Sequence, residues 1–396
     1  MRILFIHNTY RQRGGEDVAL ELETTLLAER GHDVRITLFS NDEDISGFTG
    51  KMRLGWNAIY NRTSAKTVRQ VIREFAPDLI HVHNWFFQAS PSILYAAAKE
   101  QVPVIMTIHN YRLVCANALL LRNNKPCELC INEKFPLYGI KYKCYRQSSG
   151  QSALVTAITG IHKSMNTWQN KVDNYIILTP FAKSRLEGSS FKVDPSKLII
   201  KPNFIPDPGE GLPDREGYYL FAGRLSIEKG VHTLCEAFAG LPGSRLILVG
   251  EGSEYAVLEQ RFASATNITF AGKRSRPELL GMMKKCKALV FPSIWYEGLP
   301  FTILEAFATG TPVIASDLGS MSGMITNEYN GLLFEPGNAA SLKAAIAKFE
   351  MAGQALKPLY ANARQTYLDL YHPDIHYRSI MDIYERSLAN RKKSNA

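Results

Sequence analysis

One pattern governs the chain. Short apolar runs alternate with stretches of helical period, and the alternation runs twice with a single break. Residues 2–7, 34–39, 79–82, 104–108, 175–178 and 198–200 read as strands, with helices over 16–30, 68–75 and 91–99. After the break, strands at 218–222, 245–249, 268–270, 288–291 and 313–315 alternate with helices over 230–239, 254–263, 276–286 and 301–309. Strand–helix–strand order requires crossovers, so each half predicts a parallel sheet covered by helices on both faces. The break, residues 201–217, holds Pro202, Pro206, Pro208, Pro213, Gly209, Gly211 and Gly217, which forbid helix and strand.

The expected class is therefore α/β, with two doubly wound Rossmann-like domains. Their expected bounds are 1–203, with a cysteine-rich insertion at about 112–148, and 218–372. Residues 204–217 link them, and 373–396 form a terminal helix with a basic tail. Ligands of such sheets bind at the carboxyl ends of strands, so two facing sheets imply one shared cleft.

Hydrophobic residues at 45% and charged residues at 21% support full cores rather than disorder. No run approaches the roughly 18 apolar residues of a membrane span. The first residues are too short an apolar stretch for a secretory leader, so a cytoplasmic location is expected. The net charge of +9 is uneven: residues 1–200 hold 25 Lys/Arg against 17 Asp/Glu, leaving 21 against 20 for the rest. Within 51–73 lie Lys51, Arg53, Arg62, Lys66, Arg69 and Arg73, without an acid and beside Trp56 and Tyr60. This suits peripheral contact with an anionic membrane at its inner face, and equally suits a solvated helix face. No nucleic-acid motif accompanies it, and no nucleic-acid partner is expected.

Six cysteines in so long a chain do not suggest a disulfide scaffold. Cys115, Cys127, Cys130 and Cys144, spaced C-x11-C-x2-C-x13-C, are enough thiolates to close a structural zinc site. They fit a reduced packing cluster or a redox pair as well, and both readings stand. Cys235 and Cys286 read as core.

Three elements carry chemistry. Gly223-Arg224-Leu225-Ser226-Ile227-Glu228-Lys229-Gly230 follows a strand and opens a helix. Gly223 permits a sharp turn, and Arg224 and Lys229 suit a diphosphate whose charge needs neutralising as it leaves. A surface loop with two solvated cations is the alternative. Gly250, in Val249-Gly250-Glu251-Gly252, permits close backbone approach to a base or phosphate. Glu297 precedes a helix and Glu305 lies about a turn inside it. Amides of Gly298, Leu299 and Phe301 at that helix start suit phosphate, and Pro300 suits its first turn. Two carboxylates beside two cations ask for a ligand bearing both hydroxyls and phosphates.

Together these elements resemble the family-four glycosyltransferases of the GT-B fold, over nearly the whole chain. Gly14-Gly15-Glu16 resembles that family's N-terminal glycine loop, and Arg30-Gly31-His32-Asp33-Val34 its second-strand entry. Pro77-Asp78-Leu79-Ile80-His81-Val82-His83 resembles its third, and Gly331-Leu332-Leu333-Phe334-Glu335-Pro336-Gly337 a late loop. The resemblance implies a terminal helix that crosses back to the first domain. It implies that Arg224 and Lys229 bind the donor diphosphate, Glu297 the donor sugar and Glu305 the ribose. It places Gly14 and Gly15 by the phosphate or acceptor, and His109 against the sugar. By itself His109 would read as a packed strand-end histidine. Two departures stand out: Asn110 where the family often has Asp, and residues 319–325, which lack a Pro-Glu pair.

The resemblance implies a retaining hexosyltransferase using a nucleotide-sugar donor, UDP- or GDP-hexose. A glycan acceptor, lipid-linked as in surface polysaccharide assembly, is expected. No nucleophile is evident for double displacement, so same-face attack without a catalytic metal is expected. Asp42-Glu43-Asp44 matches a metal-binding D-x-D but reads as solvated charge. Alternatives are a nucleotide-sugar epimerase of similar fold and a catalytically silent partner subunit. A dehydrogenase is disfavoured, because no G-x-G-x-x-G follows the first strand.

Overall fold

A computed structural model describes the chain except residues 10–13, 42–54, 213 and 396 and the side chains of 354, 356 and 392–395. The acidic triplet at 42–44, with Lys51 and Arg53, lies outside the described residues. Contacts divide the chain into two units. One comprises Met1–Leu120, Glu128–Asn203 and His376–Ala396, and the other Leu121–Cys127 and Phe204–Ile375.

The first unit holds six parallel strands: β1 (Arg2–Thr9), β2 (Asp33–Ser40), β3 (Leu79–Val82), β4 (Val104–Ile108), β5 (Asn174–Ile177) and β6 (Leu198–Ile200). Their order is β2-β1-β3-β4-β5-β6. Strand order reverses between β1 and β3, the switch point where such folds bind ligands. β3 and β4 are buried along their length, as parallel strands covered on both faces must be. The terminal helix, Pro373–Asn395, belongs to this unit from His376 onward. Its Ile380, Ile383 and Tyr384 join Ile3, Phe5, Leu20, Leu27, Leu79, Ile105 and Ile176 in one core. The return to the first unit is thus driven by apolar burial, as the resemblance implied.

The second unit repeats the plan with β7 (Tyr218–Ala222), β8 (Arg245–Val249), β9 (Ile268–Phe270), β10 (Ala288–Phe291), β11 (Val313–Ser316) and β12 (Gly331–Phe334). All are parallel, in the order β9-β8-β7-β10-β11-β12, so its switch point lies between β7 and β10. β12 corrects the expectation of a loop there: Leu332 and Phe334 are buried, and the ladder to β11 is complete. The proline-rich break is irregular yet tightly held. Arg215 donates to the carbonyls of Met283, Thr309 and Gly310, and Asp207 pairs with both terminal nitrogens of Arg364 at 2.8 and 2.6 Å.

Candidate active site

In the second unit, the predicted residues gather at the switch point. β7 ends at Ala222; the amide of the next residue, Gly223, donates to Val249 O, and Gly250 follows β8 on the neighbouring strand. A Cβ on Gly250 would overlap the carbonyl oxygen of Gly223, so only glycine lets these strand ends lie so close. Arg224 then turns out to solvent, while Leu225 anchors the loop in the core. A 3₁₀ turn, Ile227–Lys229, brings Lys229 back toward β10.

Lys229 Nζ donates to Glu297 Oε1 at 2.7 Å. The same oxygen accepts from Ser293 Oγ at 2.6 Å and from the Trp295 indole at 2.9 Å. The ammonium also lies over the rings of Phe291 and Trp295. Three donors on one oxygen fix a carboxylate that is 5% exposed. Ser320 Oγ donates to Glu297 O at 2.8 Å, so the loop lacking Pro-Glu still packs against this position.

The helix Phe301–Ala308 starts at Pro300 without a side-chain cap, leaving its positive end for an anion. Leu299 is buried; Gly298 and Phe301 are half-buried at that entrance. Glu305, one turn in, accepts from Arg276 Nε at 3.1 Å. Burial pushes its pKa up, and Arg276 partly offsets this. Arg276 escaped the sequence reading: it is 29 residues from Glu305, and only the start of its helix in Ser275-Arg276-Pro277-Glu278 marked it.

The first unit brings different residues together. Gly14 caps the helix Gly15–Glu29, and its amide donates to Asp17 Oδ2 at 2.8 Å. Asp17 Oδ1 meets His7 Nε2 at 2.9 Å, tying the glycine loop to the end of β1. His109, after β4, lines a small open pocket with Asn84, Trp85, Phe86, Asn110 and Arg112. Its Nε2 lies 3.1 Å from His83 Nδ1. Burial, then the neighbouring His83, hold the His109 pKa well below 6.5, so the ring is neutral at pH 7.

Behind His109 lies a buried charge network that the sequence did not reveal. Glu23 Oε1 is 3.2 Å from His83 Nε2 and 3.0 Å from His81 Nδ1. Glu23 Oε2 is 3.1 Å from Lys201 Nζ and 2.8 Å from His376 Nε2. Glu23, His81 and His83 form the one triad of metal-ligating type among the described residues, with ligand atoms within 4.8 Å. The Lys201 ammonium already supplies the positive charge that a cation would bring. The four clustered cysteines contribute to no such triad: Cys115 and Cys130 are buried, and Cys127 and Cys144 half-buried. Burial pushes the Cys115 thiol up, and it donates to Asn117 Oδ1 at 2.9 Å.

Asn110 suits its surroundings better than the usual Asp. Its Nδ2 donates to Glu16 Oε1 at 2.5 Å and its Oδ1 accepts the Arg112 amide. Aspartate would face one carboxylate with another. Asn110→Asp is expected to cost about 1–3 kcal/mol at pH 8. The paired carboxyls would take up a proton as pH falls, so less is lost at pH 5. Urea titrations at the two pH values check this; equal losses would refute it.

Residues 13–207 match the family described as Glycosyltransferase Family 4, and residues 207–366 that described as Glycosyl transferases group 1. The chain belongs to the family-four glycosyltransferases. TuaC of Bacillus subtilis, named for a glycosyltransferase role in teichuronic acid biosynthesis, is 24% identical over 75% of this chain and 68% of its own. The Escherichia coli UDP-Gal:alpha-D-GlcNAc-diphosphoundecaprenol alpha-1,3-galactosyltransferase is 26% identical over 50% of this chain. That match spans 57% of the relative's length. The solved structure of Anabaena HepE in complex with UDP superposes with a TM-score of 0.70 at 17% identity, covering 98% of this chain and 100% of that one. The fold is GT-B.

Proposed function

We propose that this glycosyltransferase moves a hexose from UDP- or GDP-hexose to a lipid-linked glycan acceptor in polysaccharide assembly, with retention and without a catalytic metal. The observation that carries this reading is Lys229 locked on Glu297, next to the uncapped helix start and one helix turn from the Glu305–Arg276 pair. The ammonium offsets the diphosphate charge that develops as the leaving group departs. Arg224, exposed at the same strand end, adds a second cation. Glu297 Oε2 accepts from a sugar hydroxyl, and Glu305 from a ribose diol. Glycine loop and His109 serve the acceptor side, where a neutral ring donates or accepts one hydrogen bond to the sugar. The leaving phosphate oxygen takes the acceptor proton on the same face. HepE's complex with UDP and the named donor of the E. coli relative support a uridine nucleotide, and that relative's acceptor supports a lipid diphosphate.

The test is turnover of UDP- and GDP-hexoses with and without a membrane glycolipid extract, with the product anomer read by NMR. Transfer with retention that EDTA leaves intact is expected. Inverted product, EDTA-sensitive turnover, or sugar isomerisation with donor alone would overturn the reading, the last in favour of an epimerase. Failure of the Gly223–Gly250 surface to bind any nucleotide would favour a silent subunit.

A further inference from the structure

The inserted segment after His109 carries a surface that the proposed transfer does not use. Its short helix, Leu137–Lys141, is pinned on one side. Gly139 is buried, and a Cβ there would overlap the Ala116 methyl. Thr156 Oγ1 donates to Pro136 O at 3.2 Å, and the Phe135 ring packs over Gly160 of the helix Ser149–Ser164. With that side held, helical spacing turns residues 137, 138, 141 and 142 outward. Leu137 is 58% exposed, Tyr138 39% and Tyr142 37%, while Phe135 and Leu129 add 36% and 45%. Rings of Tyr138 and Tyr142 lie parallel at 6.4 Å. Lys141 Nζ lies 5.4 Å from the Tyr142 ring centre, and Lys134, Lys143 and Arg146 of the same segment are exposed. In sequence, no acid occurs between Glu133 and Asp173.

We propose that this face docks on a bilayer bearing anionic headgroups; the proposal rests on the lipid-linked acceptor of the preceding section. Tyrosines and leucine beside lysines match an interfacial layer, where apolar bodies enter and cationic heads stay at the phosphates. The basic helix Arg62–Phe75, favoured by the sequence, is the weaker candidate. Its Arg69 and Arg73 both bond Glu100, so much of their charge is already neutralised. The docking segment also reaches the pocket: Arg112 and Leu113 line it beside His109, and Ala116 backs Gly139. A glycan anchored in the bilayer would therefore meet the same segment that walls the acceptor pocket.

Sedimentation with vesicles tests this. The protein should bind vesicles containing phosphatidylglycerol and not those of phosphatidylcholine alone, and salt should weaken binding. Leu137→Glu/Tyr138→Glu/Tyr142→Glu should lower partitioning roughly tenfold or more. Lys134→Gln/Lys141→Gln/Lys143→Gln, which keeps the fold's buried contacts, should lower it roughly a hundredfold at low salt. Lys66→Gln/Arg73→Gln should bind as the parent does. Stabilisation by UDP reports the donor site separately and should survive in all variants. Docking fails if the parent ignores anionic vesicles, or if only the Lys66/Arg73 variant loses binding. It also fails if the triple variants change oligomeric state and not partitioning, which would make the face a protein contact. Docking with transfer only to soluble glycans would instead sink the lipid-linked acceptor and leave the docking face standing.

Discussion

Replacing Lys229 with alanine should lower kcat/KM by about 10²–10³. The side chain sits 2.7 Å from Glu297 and is positioned before any ligand arrives. Its loss removes the cation that faces the leaving diphosphate and leaves Glu297 uncompensated beside it. The expected signature is selective. Nucleoside diphosphate should bind more weakly, while the nucleoside alone is bound as before. Stability should fall only modestly, because Ser293 and Trp295 still donate to Glu297. A Lys229→Ala and Glu297→Gln double-mutant cycle should show strong coupling. Activity losses that simply add would mean that the pair does not act as a unit.

Glu23→Ala should cost about 3–5 kcal/mol of stability. Glu23 is 3% exposed and is the sole carboxylate of the network described above. Burial alone would raise its pKa, but Lys201 and His81 hold it well below the usual range. Removing it strands the Lys201 ammonium away from water. The same network sets a pH dependence. Burial lowers the pKa of His83 and of His376 to about 4, against 6.5 unfolded. Neither ring is protonated in the fold at pH 5.5, whereas both are in the unfolded chain. Stability is therefore full above pH 6.5 and declines toward pH 4, by about 1.4 kcal/mol per pH unit for each histidine. Urea titrations at pH 7.5 and 5.5 should differ by about 2–3 kcal/mol from these two groups. A flat profile would contradict their burial as neutral rings.

The parallel strands were legible because burial on both faces forces short, continuous apolar runs, as in Tyr218–Ala222 and Ala288–Phe291. β12 escaped because Gly331-Leu332-Leu333-Phe334 opens on a glycine and lies between turn residues. The helix Ser149–Ser164 escaped because serine, threonine and glycine dilute its apolar face. Local motifs exposed Lys229, Glu297 and Glu305, since each lies at, or about a turn from, a strand or helix end. Arg276 and the Glu23 network did not show, because their partners come from remote segments. One signal was available: His81 and His83, two residues apart, must share a face of the sheet. The cysteine spacing, by contrast, fits a zinc site and a reduced packing cluster alike, because spacing along the chain does not fix how far apart the thiols lie.

The central claim is that the surface from Gly223 to Glu305 binds a nucleoside-diphosphate sugar. The most direct measurement is thermal stability with UDP, GDP, ADP and their sugars, for the parent and for Arg224→Ala/Lys229→Ala. One nucleotide at about 100 times its Kd should add roughly 2.7 kcal/mol to the parent and little to the variant. Stabilisation by none of them, or equal stabilisation of parent and variant, would contradict the account.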